Sequence, residues 1–560
     1  MENMKIVECV PNFSEGRDQK VIEEITDQIM GVPGVKLLDV DPGADTNRTV
    51  VTFVGSPEGV KEAAYRAIKR ASELIDMSKH RGAHPRIGAT DVCPFIPVSG
   101  VTMDDCVRIA QEVGERVGKE LGIPIYLYEH AASRPERRNL AEVRSGEYEG
   151  LAGRLKDPNW KPDYGPSSFN AKTGATVVGA RDFLIAYNVN LNTKDRNLAH
   201  EIALNIRETG RTKKDKRGNA IKVPGKCQAL KAVGWYLEQY GQAQVSINLV
   251  NYTVTPPHVA FEAVNEEAAK LGLRVTGSQL IGLIPLEPLL AAGRFYLRKQ
   301  GKSTGVPESE LVDVAIQSLG LDQLGEFDPS KKVIEYQFTP QGSLMSLATK
   351  RFVDEVSSDS SAPGGGSVAA LSGALGAALA AMVANLTVGK KGYEAHFEKM
   401  DELARRSQVL KDKLCQSVDE DTRAFNALLE AMRLPKKTPA QSAAREAAIQ
   451  EGYKKATQIP LETAAMCLAA LELALDAAKY GNNNSISDAG VAGLCAWAGA
   501  EGALFNSEIN IRDIKDESFR KSARMLIFEA RQRGKELKDA VLKTVEGSLS
   551  GDGDGNRTSG

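Results

Sequence analysis

The stretch QFTPQGSLMS, residues 337–346, divides this 560-residue chain into two parts with different hydrophobic patterns. It is polar and contains proline and glycine, which is typical of a linker. Before it, strand-like alternation and helix-like periodicity follow one another. After it, strand signals nearly vanish and apolar residues recur at spacings of three and four. The sequence therefore predicts an α+β part followed by an all-α helical bundle.

The α+β part shows the same order of predicted elements twice. The first third reads β-α-β-β-α-β, followed by a further helix and strand, and the second third repeats β-α-β-β-α-β. Each such run is a split β-α-β unit, so we expect two ferredoxin-like halves with a cleft between them. The first repeat is predicted to contain the strands Lys5–Val10, Val35–Val40, Thr49–Val54 and Asp91–Val98 and the helices Gln19–Met30 and Pro57–Met77.

These patterns predict how the chain is divided. A basic segment that contains glycine and proline, residues 211–226, is predicted to be a loop. The end of the chain is rich in Gly, Asp and Ser, which predicts disorder. The predicted parts are a first half (1–183), a second half (184–338), a linker (339–345), the helical domain (346–547) and a disordered tail (548–560).

Composition excludes several classes of function. The chain has 71 Lys and Arg residues against 73 Asp and Glu residues, which gives a net charge of -2. It therefore lacks an overall basic field, and nucleic acid is not expected to be its main partner. The seven cysteines contain no CxxC pair, which disfavours a disulfide framework and a thiolate zinc site. The N-terminus lacks the pattern of a secretory signal, so the cytoplasm is the expected location. The uncharged segment 368–388 is rich in Ala, Gly and Ser, which predicts a buried helix and no membrane span.

Two of the six histidines lie in one loop, SKHRGAHPRIG, residues 78–88. The spacing of His80 and His84 would suit a metal site on a helix. Gly82 and Pro85 disfavour a helix there, and no HExxH pattern is present, so we expect no metal. A loop histidine titrates near neutral pH and can act as a general acid and base. The alternative is a solvated polar loop.

Three glycine-containing segments are further candidates for a binding site. DVDPGADTNRT, residues 39–49, is either a solvated turn or a ligand corner in which an aspartate orients a histidine and Arg48 binds a carboxylate. GPSSFNAKTG, residues 165–174, is either a binding loop or a linker. GGG, residues 364–366, lacks the preceding strand of a dinucleotide site, but a turn before a helix exposes backbone N–H groups.

A single carboxylate interrupts an apolar stripe in the helical part. Asp421 occupies the gap in this stripe, so it is predicted to face the core. Desolvation would raise its pKa and make it a usable acid and base. The alternative is a buried aspartate that a neighbouring helix satisfies. The stripe consists of Leu410, Leu414, Val418, Phe425, Leu428 and Met432.

Several motifs together resemble a known family. VECVPNFSEG (7–16), GPSSF (165–169) and GSQL (277–280) resemble the formiminotransferase domain, and APGGGSVAA (362–370) and EAMRLPK (430–436) resemble the cyclodeaminase domain. The motifs occur in the family's order over nearly the whole chain. The chain is therefore similar to the formimidoyltransferase-cyclodeaminase family, bifunctional folate enzymes of histidine degradation.

The resemblance implies two linked reactions. The first transfers the formimino group of N-formimino-L-glutamate to tetrahydrofolate, preferably in its polyglutamylated form. The second cyclises 5-formiminotetrahydrofolate to 5,10-methenyltetrahydrofolate and releases ammonia. The resemblance also implies that no metal is needed and that the chain forms a homo-oligomer built from dimers. The alternative is a formiminotransferase whose helical domain is a catalytically silent scaffold.

The resemblance also implies roles for particular residues. His84 matches the acid/base of the transfer reaction, with Asp41 as the candidate to orient it. Asp421 matches the acid/base of cyclisation. Substrate and folate are expected to bind Arg48, Gln279, Gly364, Gly365, Gly366 and the loop formed by Gly165, Pro166, Ser167, Ser168, Phe169, Asn170, Ala171, Lys172, Thr173 and Gly174.

Overall fold

A computed structural model describes residues 5–44, 46–82, 85–214, 219–238, 240–338, 343–359 and 362–550. The chain forms two compact units. The first comprises Met1–Pro288 and Leu319–Gln337, and the second comprises Leu289–Ser318 and Phe338–Gly560. The first unit contains all the strands of the described residues and the second is helical, which confirms the predicted α+β part followed by a helical part.

The first half of unit one is a seven-stranded sheet. β1 lies between β4 and β5 and is antiparallel to both, while β3 is antiparallel to β4. β7 pairs in parallel with β5 and with β6. The strands are β1 (Ile6–Cys9), β2 (Asn12–Phe13), β3 (Val35–Gly43), β4 (Arg48–Gly55), β5 (Thr90–Ser99), β6 (Ile125–Glu129) and β7 (Thr176–Ala180).

Helices cover this sheet. The apolar side chains of the first three helices form one core with strand residues such as Val7 and Phe53. Side chains that begin these helices cap exposed N–H groups: Asp18 accepts from two of them, and Thr102 forms a capping box. The helices are α1 (Gln19–Met30), α2 (Pro57–Leu74), α3 (Met103–Glu120), α4 (Leu140–Val143) and α5 (Glu147–Arg154).

The second half of unit one contains a four-stranded antiparallel sheet in the order β11-β12-β8-β13. β8 lies between β12 and β13, and β11 pairs with β12. The first half has the same arrangement, since β1 lies between β4 and β5, and β3 pairs with β4. The elements are β8 (Ile185–Leu191), α6 (Arg196–Ile206), β9 (Arg211–Lys214), β10 (Ala220–Val223), β11 (Leu230–Leu237), β12 (Gln242–Leu249), α7 (Pro257–Lys270) and β13 (Val275–Ile281).

The basic segment 211–226 is not the loop that the sequence predicts. Its described residues include β9 and β10, which pair antiparallel with Ala220 opposite Lys214. All side chains of β10 are exposed, so the hairpin lacks the buried alternation by which a strand is recognised in sequence.

The second unit is built from long helices. α12 packs against α13, α14 and α15. The helices α12 and α15 approach each other closely at Gly499, where a Cβ would lie 2.7 Å from Ala369 O. Glycine has no Cβ and so allows this contact. The remaining helices of the chain are α8 (Leu286–Lys299), α9 (Glu308–Leu319), α10 (Pro329–Lys332), α11 (Thr349–Val356), α12 (Gly365–Asn385), α13 (Phe397–Arg433), α14 (Pro439–Tyr480), α15 (Ile486–Ile511) and α16 (Glu517–Leu549).

Among the described residues, α12 alone is long and apolar enough, by length and composition, to cross a membrane. Of its most apolar window, 61% is buried within the protein. The core helix of a folded domain passes the same test, and α12 packs against three other helices. This agrees with the buried helix that the sequence predicts over residues 368–388.

The division into units differs from the predicted boundary at residue 338, because Leu289–Ser318 packs with the helical unit. Asp401 on α13 is hydrogen-bonded to the segment Leu289–Ser318. Its Oδ1 accepts from Thr304 N at 2.6 Å and from Ser303 Oγ at 3.2 Å. The predicted boundaries stay a prediction. Residues 339–342 of the predicted linker and 551–560 of the predicted tail lie outside the described residues.

Candidate active sites

The carboxylate of Asp421 lies against the first turn of α12. Its Oδ2 is 3.3 Å from Ser367 Oγ, and the side chain and backbone N–H of Ser367 both act to lower the pKa of the carboxyl group. A Cβ at Gly366 would lie 2.1 Å from Asp421 Oδ1. Glycine at this position therefore gives the carboxylate access to the helix N-terminus, where backbone N–H groups favour negative charge.

Two opposing effects act on the Asp421 carboxyl group. Burial raises its pKa above the usual value, and the hydrogen bonds from Ser367 oppose that rise. The neighbouring stripe residues Leu414 and Val418 are fully buried, as the stripe predicts. Since burial is the larger effect, the group retains a proton at a higher pH than a free aspartate does.

Three polar residues at this helix start are absent from the sequence-based prediction. Ser367 Oγ lies 2.9 Å from Val418 O and 3.2 Å from Thr422 Oγ1. Asn506 on α15 lies beside Gly365, where a Cβ would be 3.4 Å from Asn506 Nδ2. Ser367 could have been suspected because it follows the glycine turn. Asn506 has no such signal, because it lies on another helix far along the chain.

His84 lies outside the described residues, but both sides of its loop are described. His80, the other histidine of the loop, is only 6% exposed. Its Nε2 is 2.8 Å from Asn47 O, and its Nδ1 accepts from Arg86 Nε at 3.2 Å. Because arginine can only donate, the proton of the ring belongs on Nε2. Burial lowers the pKa of His80, so it is a neutral anchor of the loop.

The turn before β4 packs against the loop that carries His84. A Cβ at Gly82 would lie 2.1 Å from Thr46 O. Asn47, with φ of 48°, donates from Nδ2 to Arg81 O at 3.0 Å and accepts the Gly16 N–H on Oδ1 at 3.0 Å. These contacts bring the start of β4, and with it Arg48, beside the described part of the loop.

The segment 165–174 borders the same loop on another side. Ala89 N donates to Thr173 O at 2.8 Å, and Met77 N donates to Lys172 O at 2.9 Å. The Phe169 ring lies 5.5 Å from the Tyr148 ring, centroid to centroid, and remains 38% exposed. The predicted folate loop and the two flanks of the His84 loop are therefore neighbours.

A cluster of charges surrounds Arg48. Its Nη2 donates to Asn12 Oδ1, and burial lowers the pKa of Arg48. Asp91 is fully buried, accepts the Ile87 N–H at 3.1 Å and pairs with Arg144. The guanidinium groups of Arg48 and Arg144 thus both lie within electrostatic reach of the Asp91 carboxylate. The sequence did not reveal this cluster, because its members come from separate elements.

The two remaining predicted residues lie on strands of different sheets. Asp41 is exposed on β3, opposite Val50 of β4. Gln279 lies on β13 of the second sheet, opposite Asn188 of β8. No group of three or more His, Cys, Asp or Glu side chains that could hold a metal ion occurs in the part of the chain that the structure describes.

Three family models match the chain, and together they span both units. They are the formiminotransferase domain, N-terminal subdomain, over residues 6–181, the formiminotransferase domain over 186–339, and formiminotransferase-cyclodeaminase over 348–527. The formimidoyltransferase-cyclodeaminase of Mus musculus is 46% identical over 549 residues, which cover 97% of this chain and 99% of that protein. The chain belongs to the formimidoyltransferase-cyclodeaminase family. The resemblance that the motifs indicated is thus confirmed.

Other similar proteins match one part or both. The formimidoyltransferase-cyclodeaminase of Dictyostelium discoideum is 44% identical over 97% of this chain and 98% of its own length. A glutamate formimidoyltransferase of Streptococcus pyogenes is 46% identical over 52% of this chain and 94% of its own length. The crystal structure of formiminotetrahydrofolate cyclodeaminase from Thermotoga maritima, 28% identical, covers 36% of this chain and 98% of that one, with a TM-score of 0.34.

Proposed function

We propose that this chain transfers the formimino group of N-formimino-L-glutamate to tetrahydrofolate and then cyclises 5-formiminotetrahydrofolate to 5,10-methenyltetrahydrofolate with release of ammonia. The observation that carries the proposal is the match, over 97% of the chain, to relatives that join both activities in one protein. The test is an assay of the purified full chain with both substrates, in which methenyltetrahydrofolate is followed by absorbance and ammonia is measured in parallel.

In the transfer reaction, His84 moves the protons. N5 of tetrahydrofolate attacks the formimino carbon and forms a tetrahedral intermediate. N5 must then lose a proton, and the glutamate nitrogen must gain one to leave. One histidine with a pKa near neutrality can perform both steps. In this proposal Asp41 orients His84.

Arg48 binds a carboxylate of the formiminoglutamate. The proposal is supported by the position of Arg48 at the start of β4, beside the described part of the His84 loop. Charge-assisted hydrogen bonds between a guanidinium and a carboxylate are stronger than hydrogen bonds between neutral groups. The loop 165–174, which borders the same corner, binds folate in this proposal, and Gln279 contributes from the second sheet.

In the cyclisation reaction, Asp421 delivers a proton to the departing nitrogen. N10 attacks the amidine carbon and loses its proton, the bond from that carbon to the amino nitrogen breaks, and ammonia leaves. The partly buried carboxyl group at the start of α12 supports this role, because its raised pKa favours the protonated form. Backbone N–H groups of Gly364, Gly365 and Gly366 hold the polar ring of the folate.

Replacing Ser367 should move the pH dependence of cyclisation. In Ser367→Ala the carboxylate loses a hydrogen bond that lowers its pKa, so the pKa of Asp421 rises further. An acid that works in its protonated form loses activity above its pKa. We therefore expect the alkaline limb of the pH–rate profile to move to higher pH. Ser372→Ala is the matched control, since Ser372 on the same helix donates to Cys495 O at 2.9 Å. An unmoved limb in Ser367→Ala would speak against this arrangement.

The hairpin β9–β10 is proposed to attract the polyglutamate tail of folate. Lys213, Lys214 and Lys222 are exposed on it, whereas Arg211 is paired with Glu201 at 2.6 Å. Two further basic residues of this segment, Lys216 and Arg217, lie outside the described residues. Exposed charges act over about 10 Å at moderate salt, so the attraction should weaken as salt rises.

Neutralising the three exposed lysines tests this attraction. The variant in which Lys213, Lys214 and Lys222 are changed to Gln should bind polyglutamylated tetrahydrofolate more weakly, while its affinity for the monoglutamate stays the same. The difference should shrink with added salt. The measurement is Kd for both folates at low and high salt. Equal losses for the two folates would discard this role of the hairpin.

The fold and the assembly complete the proposal. The shared strand order of the two halves supports two ferredoxin-like halves. Large apolar side chains such as Phe505 and Phe528 are more than half exposed on α15 and α16, which supports a homo-oligomer built from dimers. The seven cysteines, all within the described residues, form no disulfide, which supports a cytoplasmic location.

A further inference from the structure

An amide and a carboxylate approach the first turn of α12 from two different helices. A Cβ at Gly365 would lie 3.4 Å from Asn506 Nδ2 and 3.7 Å from Asn506 Oδ1, on α15. A Cβ at Gly366 would lie against the carboxylate of Asp421, on α13. The two glycines are adjacent, so their Cα atoms are about 3.8 Å apart. Because neither has a Cβ, the amide and the carboxylate both border one open helix start.

The Asn506 amide is held in one orientation by its own helix. Its Nδ2 donates to Gly502 O, one turn earlier on α15, at 2.8 Å. A flipped amide would place two acceptors, Oδ1 and Gly502 O, against each other, so the nitrogen belongs on this side. Oδ1 accepts no hydrogen bond from the described part of the chain, and the side chain is partly exposed. Oδ1 is therefore an acceptor that a ligand at the helix start can use.

Nearby polar side chains of α15 join this helix to its neighbours. Asn510 Nδ2 donates to Ala456 O on α14 at 2.7 Å, and Glu508 pairs with Arg531 on α16 at 3.0 Å. Asn506 makes no such bond to another helix among the described residues. Packing of the bundle therefore does not require an amide at this position.

The groups at this helix start differ in what they bind. The backbone N–H groups of the glycine turn can only donate. A protonated Asp421 also donates, to the nitrogen that leaves. Asn506 Oδ1 is then the acceptor for an N–H of the ligand. The formimino nitrogen carries N–H before cyclisation, and it carries two in the tetrahedral intermediate that N10 attack forms. An acceptor fits this nitrogen but repels a carbonyl oxygen in the same place.

We propose that Asn506 Oδ1 accepts a hydrogen bond from the departing formimino nitrogen and makes the cyclisation site select a formimino group over a formyl group. One N–H of the tetrahedral intermediate points to Asn506, so the lone pair of that nitrogen can take the proton from Asp421. The carbon–nitrogen bond then breaks, and ammonia leaves with that proton. This inference rests on the proposed function, because it adds a substrate-contacting residue to the cyclisation reaction.

The test compares two folates that differ at one position. 5-Formyltetrahydrofolate carries an oxygen where the substrate carries the N–H nitrogen, and its inhibition constant is measured against cyclisation of supplied 5-formiminotetrahydrofolate. Asn506→Leu removes the acceptor with little change in size. We expect kcat/KM for the formimino substrate to fall about 10-fold or more. The inhibition constant of the formyl analogue should stay the same or fall, because the repulsion between two acceptors is removed.

Two further variants control the comparison. Asn426→Leu makes the same change at an exposed position on α13, and both constants should equal those of the parent. Asn506→Asp keeps an oxygen that accepts, so it should keep the preference for the formimino group over the formyl group. If Asn506→Leu does not fold, Asn506→Ala decides, because alanine favours the helix and also lacks the acceptor.

A purely structural role of Asn506 would weaken both folates together. A change of less than about 10-fold in the ratio of the two constants in Asn506→Leu, the same change in Asn426→Leu, or a lost preference in Asn506→Asp would overturn the proposal. A parent chain that does not cyclise supplied 5-formiminotetrahydrofolate would contradict the proposed function, and the role of Asn506 would fail with it. Cyclisation by the parent with an unchanged ratio in the variant would remove only Asn506.

Discussion

Asp421→Asn should produce a folded chain that transfers formimino groups and accumulates 5-formiminotetrahydrofolate with little methenyl product. Asparagine keeps the shape that fits against Gly366 and can still accept from Ser367, but it cannot deliver a proton. Loss of a general acid typically lowers the rate about 10²–10⁴-fold. The measurement is methenyltetrahydrofolate absorbance after supplied 5-formiminotetrahydrofolate is added.

The matched control for this variant is Glu420→Gln. Glu420 precedes Asp421 on α13 but is exposed. Its replacement removes a carboxylate from the same helix without touching the start of α12, so cyclisation should proceed at the parent rate. Normal methenyl formation by Asp421→Asn would remove Asp421 from the reaction. Unfolding of that variant would favour the alternative of a structural aspartate.

His84→Ala should stop formimino transfer and leave cyclisation of supplied 5-formiminotetrahydrofolate intact. The transfer needs one proton removed and one delivered, and the loss of that group should lower the rate about 10²–10⁴-fold. The measurement is 5-formiminotetrahydrofolate formed from both substrates. Transfer at the parent rate would show that another group moves the protons.

The control for His84→Ala should be His130→Ala. His130 is exposed in the same half of unit one, and its Nε2 lies 3.5 Å from Asp182. The other loop histidine is a poor control, because His80 is buried and hydrogen-bonded to Asn47 and Arg86. Its removal should lower stability, since buried hydrogen-bond partners would be left unpaired.

Local pattern predicts the elements of the chain well. The helix Gln19–Met30 begins and ends where its periodicity predicts, and the Asp18 side chain caps its first turn. The four predicted strands of the first repeat lie within a few residues of their predicted bounds, because the alternation of apolar and polar residues is preserved in them. Asp421 stands out for the same reason: one carboxylate in an apolar stripe is visible in sequence.

Contacts between distant segments are what the sequence leaves out. Asp91 forms an ion pair with Arg144, and Asp401 accepts a hydrogen bond from Thr304. The partners in each contact are far apart in the chain, so no local sequence pattern predicts them. The hairpin β9–β10 is exposed and charged, so its strands lack buried alternation.

The central claim is that one chain performs both reactions. The most direct test gives the purified full chain tetrahydrofolate and N-formimino-L-glutamate and follows methenyltetrahydrofolate and ammonia together. The account predicts that both products form in equal amounts. Accumulation of 5-formiminotetrahydrofolate with neither ammonia nor methenyl product would contradict it, because the helical unit would then be a silent scaffold.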